Sequence, residues 1–142
     1  MESSDCRRIL IVANRTAATP ELIEVVRTRA AEGPARFALL VPRAYWDPDT
    51  EESAITLELA LPLLDEAAGS HVEGLVGDND PFAAVSSAVA DGDYDEIIIS
   101  TLPVHISRWL HLDLPTRVRR LGLPVTVVTA RQRAVGAGGS PL

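Results

Sequence analysis

At 142 residues, 46% hydrophobic and 23% charged, the chain suits one globular domain that buries about two thirds of its unfolded surface. It is too apolar for a disordered segment. A net charge of −7 opposes binding to nucleic acid or to an anionic membrane. All 13 basic residues are Arg, which excludes chemistry that needs lysine: a Schiff base, a P-loop cation or a receiver-domain lysine.

Taken in chain order, Arg8-Ile9-Leu10-Ile11-Val12-Ala13 is a continuous apolar run with β-branched residues, as expected for a strand (β1) covered on both faces. Thr19-Pro20-Glu21 gives a cap, a helix-compatible proline and an acidic first turn. With Leu22, Ile23, Val25, Val26 and Ala30 behind it at helical spacing, this predicts α1 over Pro20 to Glu32, stopped at Gly33-Pro34. Phe37 to Val41 is β2, ended by Pro42. Asp49 to Ala68 is read as a helix, α2, with Ile55, Leu57, Leu59, Leu61, Leu63 and Leu64 as its apolar residues and Pro62 as a point of kinking.

His71 to Gly77 is a weaker, alternating strand signal (β3). Asp78-Asn79-Asp80-Pro81 supplies cap chemistry for a third helix (α3), whose stripe is Phe82, Val85, Val89 and Ala90 and which ends near Asp91-Gly92. Tyr94 to Ser100, with Ile97-Ile98-Ile99, is β4. Between Pro103 and Arg120 the pattern breaks at Asp113-Leu114-Pro115, which fits two short helices. Leu123 to Thr129 is β5. Residues 1–6 form a polar leader, residues 7–130 the domain, and residues 131–142, rich in Gly, Arg and Ser, a tail expected to be disordered. Alternation of strand and helix specifies a three-layer α/β/α sandwich around a parallel sheet with right-handed crossovers. Ligands of such sheets bind beyond the carboxyl ends of the strands where the order reverses, which points to the loops after β1 and β4.

Val72 to Val85 followed by Tyr94-Asp95-Glu96-Ile97-Ile98-Ile99-Ser100-Thr101 resembles the second half of a universal stress protein, in which a strand leads through a Gly-x-Pro turn and a helix to an Asp-x-Ile-Ile-Val strand. Arg7 to Asn14 is similar to that family's first strand, and Leu123-Pro124-Val125-Thr126-Val127-Val128 to its closing one. The resemblance implies a Rossmann-like fold of the adenine nucleotide alpha hydrolase type, with a five-stranded parallel sheet in the order 3-2-1-4-5. It also implies ATP or AMP as possible ligands, and a homodimer formed through the β5 edge at Val125, Thr126, Val127, Val128 and Thr129.

ATP-binding members of that family carry Gly-x-x-Gly, nine further residues and Gly-Ser or Gly-Thr after β4, so that bare amides cradle phosphates. The matching stretch here, Ser100 to Leu114, contains no glycine. Pro103 removes an amide donor, and Leu112-Asp113 stands where Gly-Ser would. The Asp113 carboxylate would repel phosphate by about 1 to 4 kcal/mol at close range. Asn14 occupies the family's usual aspartate position. The expectation is therefore a non-catalytic binding or regulatory domain that does not hold ATP in the usual manner. The alternative is an ATP- or AMP-binding protein, or a small nucleotide-dependent enzyme, using the β1 and β4 loops.

The candidate ligand residues are Asn14, Arg15, Thr16, Val41, Gly77, Ser100, Thr101, Ser107, Arg108 and Asp113. Against a ligand role, Thr16 and Thr19 could simply cap α1, while Ser100 and Thr101 could satisfy backbone at a strand end. His105 and His111 with Asp113 are not at a spacing that makes a metal site, and Asp78 with Asp80 reads as a helix cap. Trp109 reads as a packing anchor. No Ser-His-Asp or Cys-His set has interpretable spacing, so no catalytic residue is assigned. Cys6 has no partner for a disulfide, and Met1 to Asp5 lacks signal-peptide character. No apolar run approaches the length of a membrane span. These features make a cytoplasmic location the expectation.

Overall fold

A computed structural model describes residues 6–13, 16–43, 51–101, 109 and 113–130. Five strands, β1 (Arg7–Val12), β2 (Ala35–Pro42), β3 (Glu73–Gly77), β4 (Glu96–Thr101) and β5 (Val125–Thr129), form one sheet in the order β3-β2-β1-β4-β5. Every pairing is parallel. The helices are α1 (Pro20–Glu32), α2 (Glu51–Ala68), α3 (Pro81–Asp91) and a short α4 (Leu114–Arg119). Fold class and strand order agree with the sequence reading. Its expected leader, its tail and the first of the two short helices lie largely outside the described residues.

The period of two along each strand divides the core into two layers. Ile9, Ile11, Phe37, Leu39, Val41 and Ile98 face α1 and α2, where they meet Leu22, Val26, Ala60, Leu64 and Ala67. Leu10, Val12, Ala38, Leu40, Ile97 and Ile99 face α3 and α4, where they meet Ala84, Val85, Leu114 and Val118. Strands buried on both faces need no polar alternation, which is why β1, β2 and β4 read as apolar runs.

Local chemistry sets the boundaries. Asp80 caps α3 by accepting a hydrogen bond from the Phe82 amide at 3.1 Å, and Asp78 braces that cap by accepting from the Asp80 amide at 2.9 Å. Pro81 occupies the first turn, where its missing N–H costs nothing. Gly69 closes α2 at φ 72, with its amide donating to the Asp65 carbonyl at 2.9 Å. Pro42 does not end β2 before itself but is its last residue, in register with Gly77. Thr19 precedes α1 as expected, yet its hydroxyl does not cap the helix. It donates instead to the Thr16 carbonyl at 3.0 Å.

At the amino-terminal end of the sheet, Glu96 is 3% exposed. It lies on the α1 side between Arg7, Arg29 and Thr126. Arg7 Nη2 approaches Oε1 at 2.6 Å, Arg29 Nη2 approaches Oε2 at 2.9 Å, and the Thr126 hydroxyl donates to Oε2 at 3.2 Å. The Glu96 hydrogen bond raises the Arg29 guanidinium above its ordinary value, against the opposing effect of burial. This cluster joins α1, β1, β4 and β5 through one carboxylate. Arg29→Ala leaves that buried carboxylate short of its main partner and is expected to cost about 2 to 4 kcal/mol. Arg7, half exposed, is expected to cost about 1 kcal/mol or less when changed to Ala. Urea unfolding of the two variants checks the order.

Candidate functional site

Right-handed crossovers place α1 and α2 on one face, because the chain steps from β1 outward to β2 and β3, and α3 and α4 on the other, because it then returns past β1 to β4 and on to β5. The helix that follows β1 and the helix that precedes β5 therefore cover opposite faces. In open α/β sheets, ligands bind beyond the carboxyl ends of the two strands at such a switch point, here β1 and β4.

Thr16, 2% exposed, lies just beyond the end of β1 at this switch point. The Ser100 hydroxyl reaches across from the end of β4 and donates to Thr16 Oγ1 at 2.7 Å. The Thr16 carbonyl accepts from the Thr19 amide at 3.2 Å as well as from the Thr19 hydroxyl, so the turn after β1 is locked to the start of α1. Thr16 and Ser100, expected to converge at the switch point, do meet there and tie the turn after β1 to the end of β4.

Ser100 and Thr101 do not converge on one side. Strand alternation turns Ser100 toward α1, with Ile98, and Thr101 toward the α3 and α4 layer, with Ile97 and Ile99. Thr101 is 3% exposed, and its Oγ1 is the one buried side-chain polar atom without a hydrogen-bond partner among the described residues. Its carbonyl is occupied, accepting from the Ala130 amide at 2.8 Å. A buried hydroxyl without a partner costs about 1 to 3 kcal/mol, and this one stands at the end of β4, next to the switch point.

Val41 is wholly buried in the α1 and α2 layer, and its side chain presents no surface to a ligand. Gly77 is required by packing: a Cβ there would lie 2.6 Å from the Ala84 Cβ and 3.0 Å from Leu40 Cδ1. Asp113 precedes α4 in a left-handed conformation, φ 58 and ψ 37, with an exposed side chain that makes no capping bond. Asn14, Arg15, Ser107 and Arg108 lie outside the described residues, as do His105 and His111. Among the described residues no three metal-ligating side chains come together. Trp109 packs, partly buried, against the α3 and α4 core layer. No described helix is long and apolar enough to cross a membrane.

A parallel five-stranded sheet in this order, with its direction of growth reversing between β1 and β4, defines the doubly wound class of α/β domain. Among solved structures, the chain is similar to a universal stress protein in complex with cAMP, at 15% identity and a TM-score of 0.64, over 88% of this chain and 98% of that one. It is also similar to a universal stress protein from Archaeoglobus fulgidus, at 17% identity and a TM-score of 0.61, over 86% of this chain and 93% of the other. A structure of the universal stress protein from Archaeoglobus fulgidus in complex with dAMP matches at 16% identity and a TM-score of 0.57, over 86% and 97% of the two chains. No protein-family model matches the chain, and no curated protein matches it in sequence. The chain therefore has the universal stress protein fold along almost its whole length.

Two substitutions separate the switch-point hydroxyls. Thr101→Val removes the unpartnered hydroxyl at constant shape and is expected to stabilise the ligand-free protein by about 1 kcal/mol, whereas Ser100→Ala breaks the bond to Thr16 and is expected to cost about 1 kcal/mol. Chemical denaturation of both variants beside the wild type measures the difference in sign.

Proposed function

We propose that this chain is a universal stress protein-like binding and regulatory domain without turnover, and that its switch point takes an adenosine mononucleotide in preference to ATP. The observation that carries the reading is the Thr101 hydroxyl, buried and without a partner among the described residues, beside the Ser100–Thr16 bridge, at the switch point of a fold whose solved neighbours include complexes with cAMP and dAMP. The preference against triphosphate rests on the chain between β4 and α4. It has no glycine from Ser100 to Leu114, carries Pro103, and ends on the Asp113 carboxylate, so it is poor in bare amides and adds like charge. The absence of turnover is supported by Ser100, whose described hydrogen bonds end on Thr16. No imidazole or carboxylate activates it among the described residues.

Thermal unfolding with AMP, cAMP and ATP, with and without magnesium, tests this. A mononucleotide at a hundredfold its dissociation constant is expected to stabilise the protein by about 2.7 kcal/mol, with a smaller effect from magnesium-ATP and no nucleotide hydrolysis. A larger effect from magnesium-ATP, or hydrolysis, would favour a nucleotide-dependent enzyme. No response to any of the three would leave a domain that binds no nucleotide.

The same reading includes a homodimer through the outer edge of β5. Val125, Thr126 and Val127 are only half-buried there, and the edge has no strand beside it among the described residues. Pro124 O accepts from the Ile97 amide and the Ala130 amide donates to Thr101 O, so the even-numbered residues of β5 face β4 and the amides of Val127 and Thr129 face outward. Sedimentation at micromolar concentration is expected to show a dimer, and Val127→Pro, which removes an outward donor while sparing the pairing with β4, a folded monomer. A monomeric wild type would remove this part of the reading.

A further inference from the structure

Apolar residues occupy every second position of α2 from Ile55 to Leu63, a period that suits a strand. On a helix, positions two apart lie about 200° apart, so the run splits into two opposed rows. Leu57 and Leu61 turn inward, close enough to β3 that a Cβ on Gly74 would lie 2.8 Å from Leu61 Cδ1 and 3.3 Å from Leu57 Cδ2. Ile55, Leu59 and Leu63 turn outward and are 47%, 68% and 43% exposed. The only other exposed large apolar side chain among the described residues, Val76, is on β3, the strand against which α2 packs. An outward row at i, i+4 and i+8 is the spacing that meets a partner helix.

The row runs between acidic groups. Glu58 and Glu66 are exposed beside it, and no basic residue occurs from Glu51 to Ala68. We propose that the outer face of α2 docks a partner protein through an amphipathic segment that lays an apolar row on Ile55, Leu59 and Leu63 and sets arginine or lysine beside Glu58 and Glu66.

Charge selects this occupant over the others. A second copy paired face to face about a two-fold axis would bring one acidic, base-free helix against another. Residues 44–50 of the chain itself carry Asp47 and Asp49 and no base. Residues 131–142 carry Arg131 and Arg133 but only Val135 and Leu142 as large apolar side chains. An anionic membrane is repelled by the same carboxylates. Three exposed side chains make a contact well below the standard interface of about 1,600 Å², which is the range of transient association. This inference does not depend on what the switch point between β1 and β4 binds.

The test titrates the full chain into a fluorescent synthetic helical peptide with leucines at i, i+4 and i+8 flanked by lysines, beside a control in which glutamates replace the lysines. Saturable binding of the lysine peptide alone is expected, weakening as salt is raised. A loss of about tenfold or more is expected in Ile55→Ser/Leu59→Ser and in Glu58→Arg/Glu66→Arg. Both pairs are exposed, so melting should stay close to that of the wild type. The proposal is overturned if the lysine peptide does not bind, if the glutamate peptide binds equally, or if the variants bind as the wild type does. It is also overturned if sedimentation shows that Leu59→Ser dissociates a dimer, or if deleting residues 131–142 is needed before the peptide binds, since the occupant would then be a second copy or the tail.

Discussion

The sheet changes its direction of growth between β1 and β4, and the candidate site of this protein follows from that reversal. A right-handed crossover permits the helix after β1 to cover one face only and the helices around β4 to cover the other. The chain is carried to opposite faces on either side of this point, and the gap between the carboxyl ends of β1 and β4 is the switch point of the sheet. The Ser100–Thr16 hydrogen bond spans that gap at 2.7 Å on the α1 side. Thr101, one residue on and on the opposite face, is buried, and its hydroxyl has no partner among the described residues.

The fold was legible because its strongest signals are also its largest energetic terms. The runs in β1, β2 and β4 are buried on both faces, and each such residue contributes about 1.5 to 3 kcal/mol by leaving water. The capping sequence before α3 works as its residue types suggest, with Asp80 on the Phe82 amide. What the sequence conceals is long-range pairing. Nothing near Glu96 in the chain announces that Arg7, Arg29 and Thr126 will gather round it. A glutamate opening an otherwise apolar strand was the available signal, since a carboxylate in that setting needs partners.

The candidate site was legible in part. Thr16 and Ser100 were placed at the switch point by topology alone, and they meet there. Val41 and Gly77 were candidates too, but the pleat buries the Val41 side chain in one core layer, and Gly77 serves the close approach of Ala84. Thr19 was read as a cap, and its hydroxyl turned out to brace the β1 turn. The residues in α2 show the same lesson in reverse. They were read together as the apolar residues of one helix, and helical geometry divides them between two faces, of which one packs against the sheet and the other meets solvent.

On the proposed reading, the two features divide the labour of a regulatory domain: a site for a mononucleotide at the carboxyl edge of the sheet, and an acidic, apolar-striped helix at its flank for a protein partner. The central claim concerns the site at the switch point, and amide chemical-shift mapping with AMP addresses it residue by residue. The account predicts that the largest shifts fall on Thr16, Ser100, Thr101 and the residues that adjoin them, saturating together with one affinity. Saturable shifts centred elsewhere, with these three amides unmoved, would contradict it.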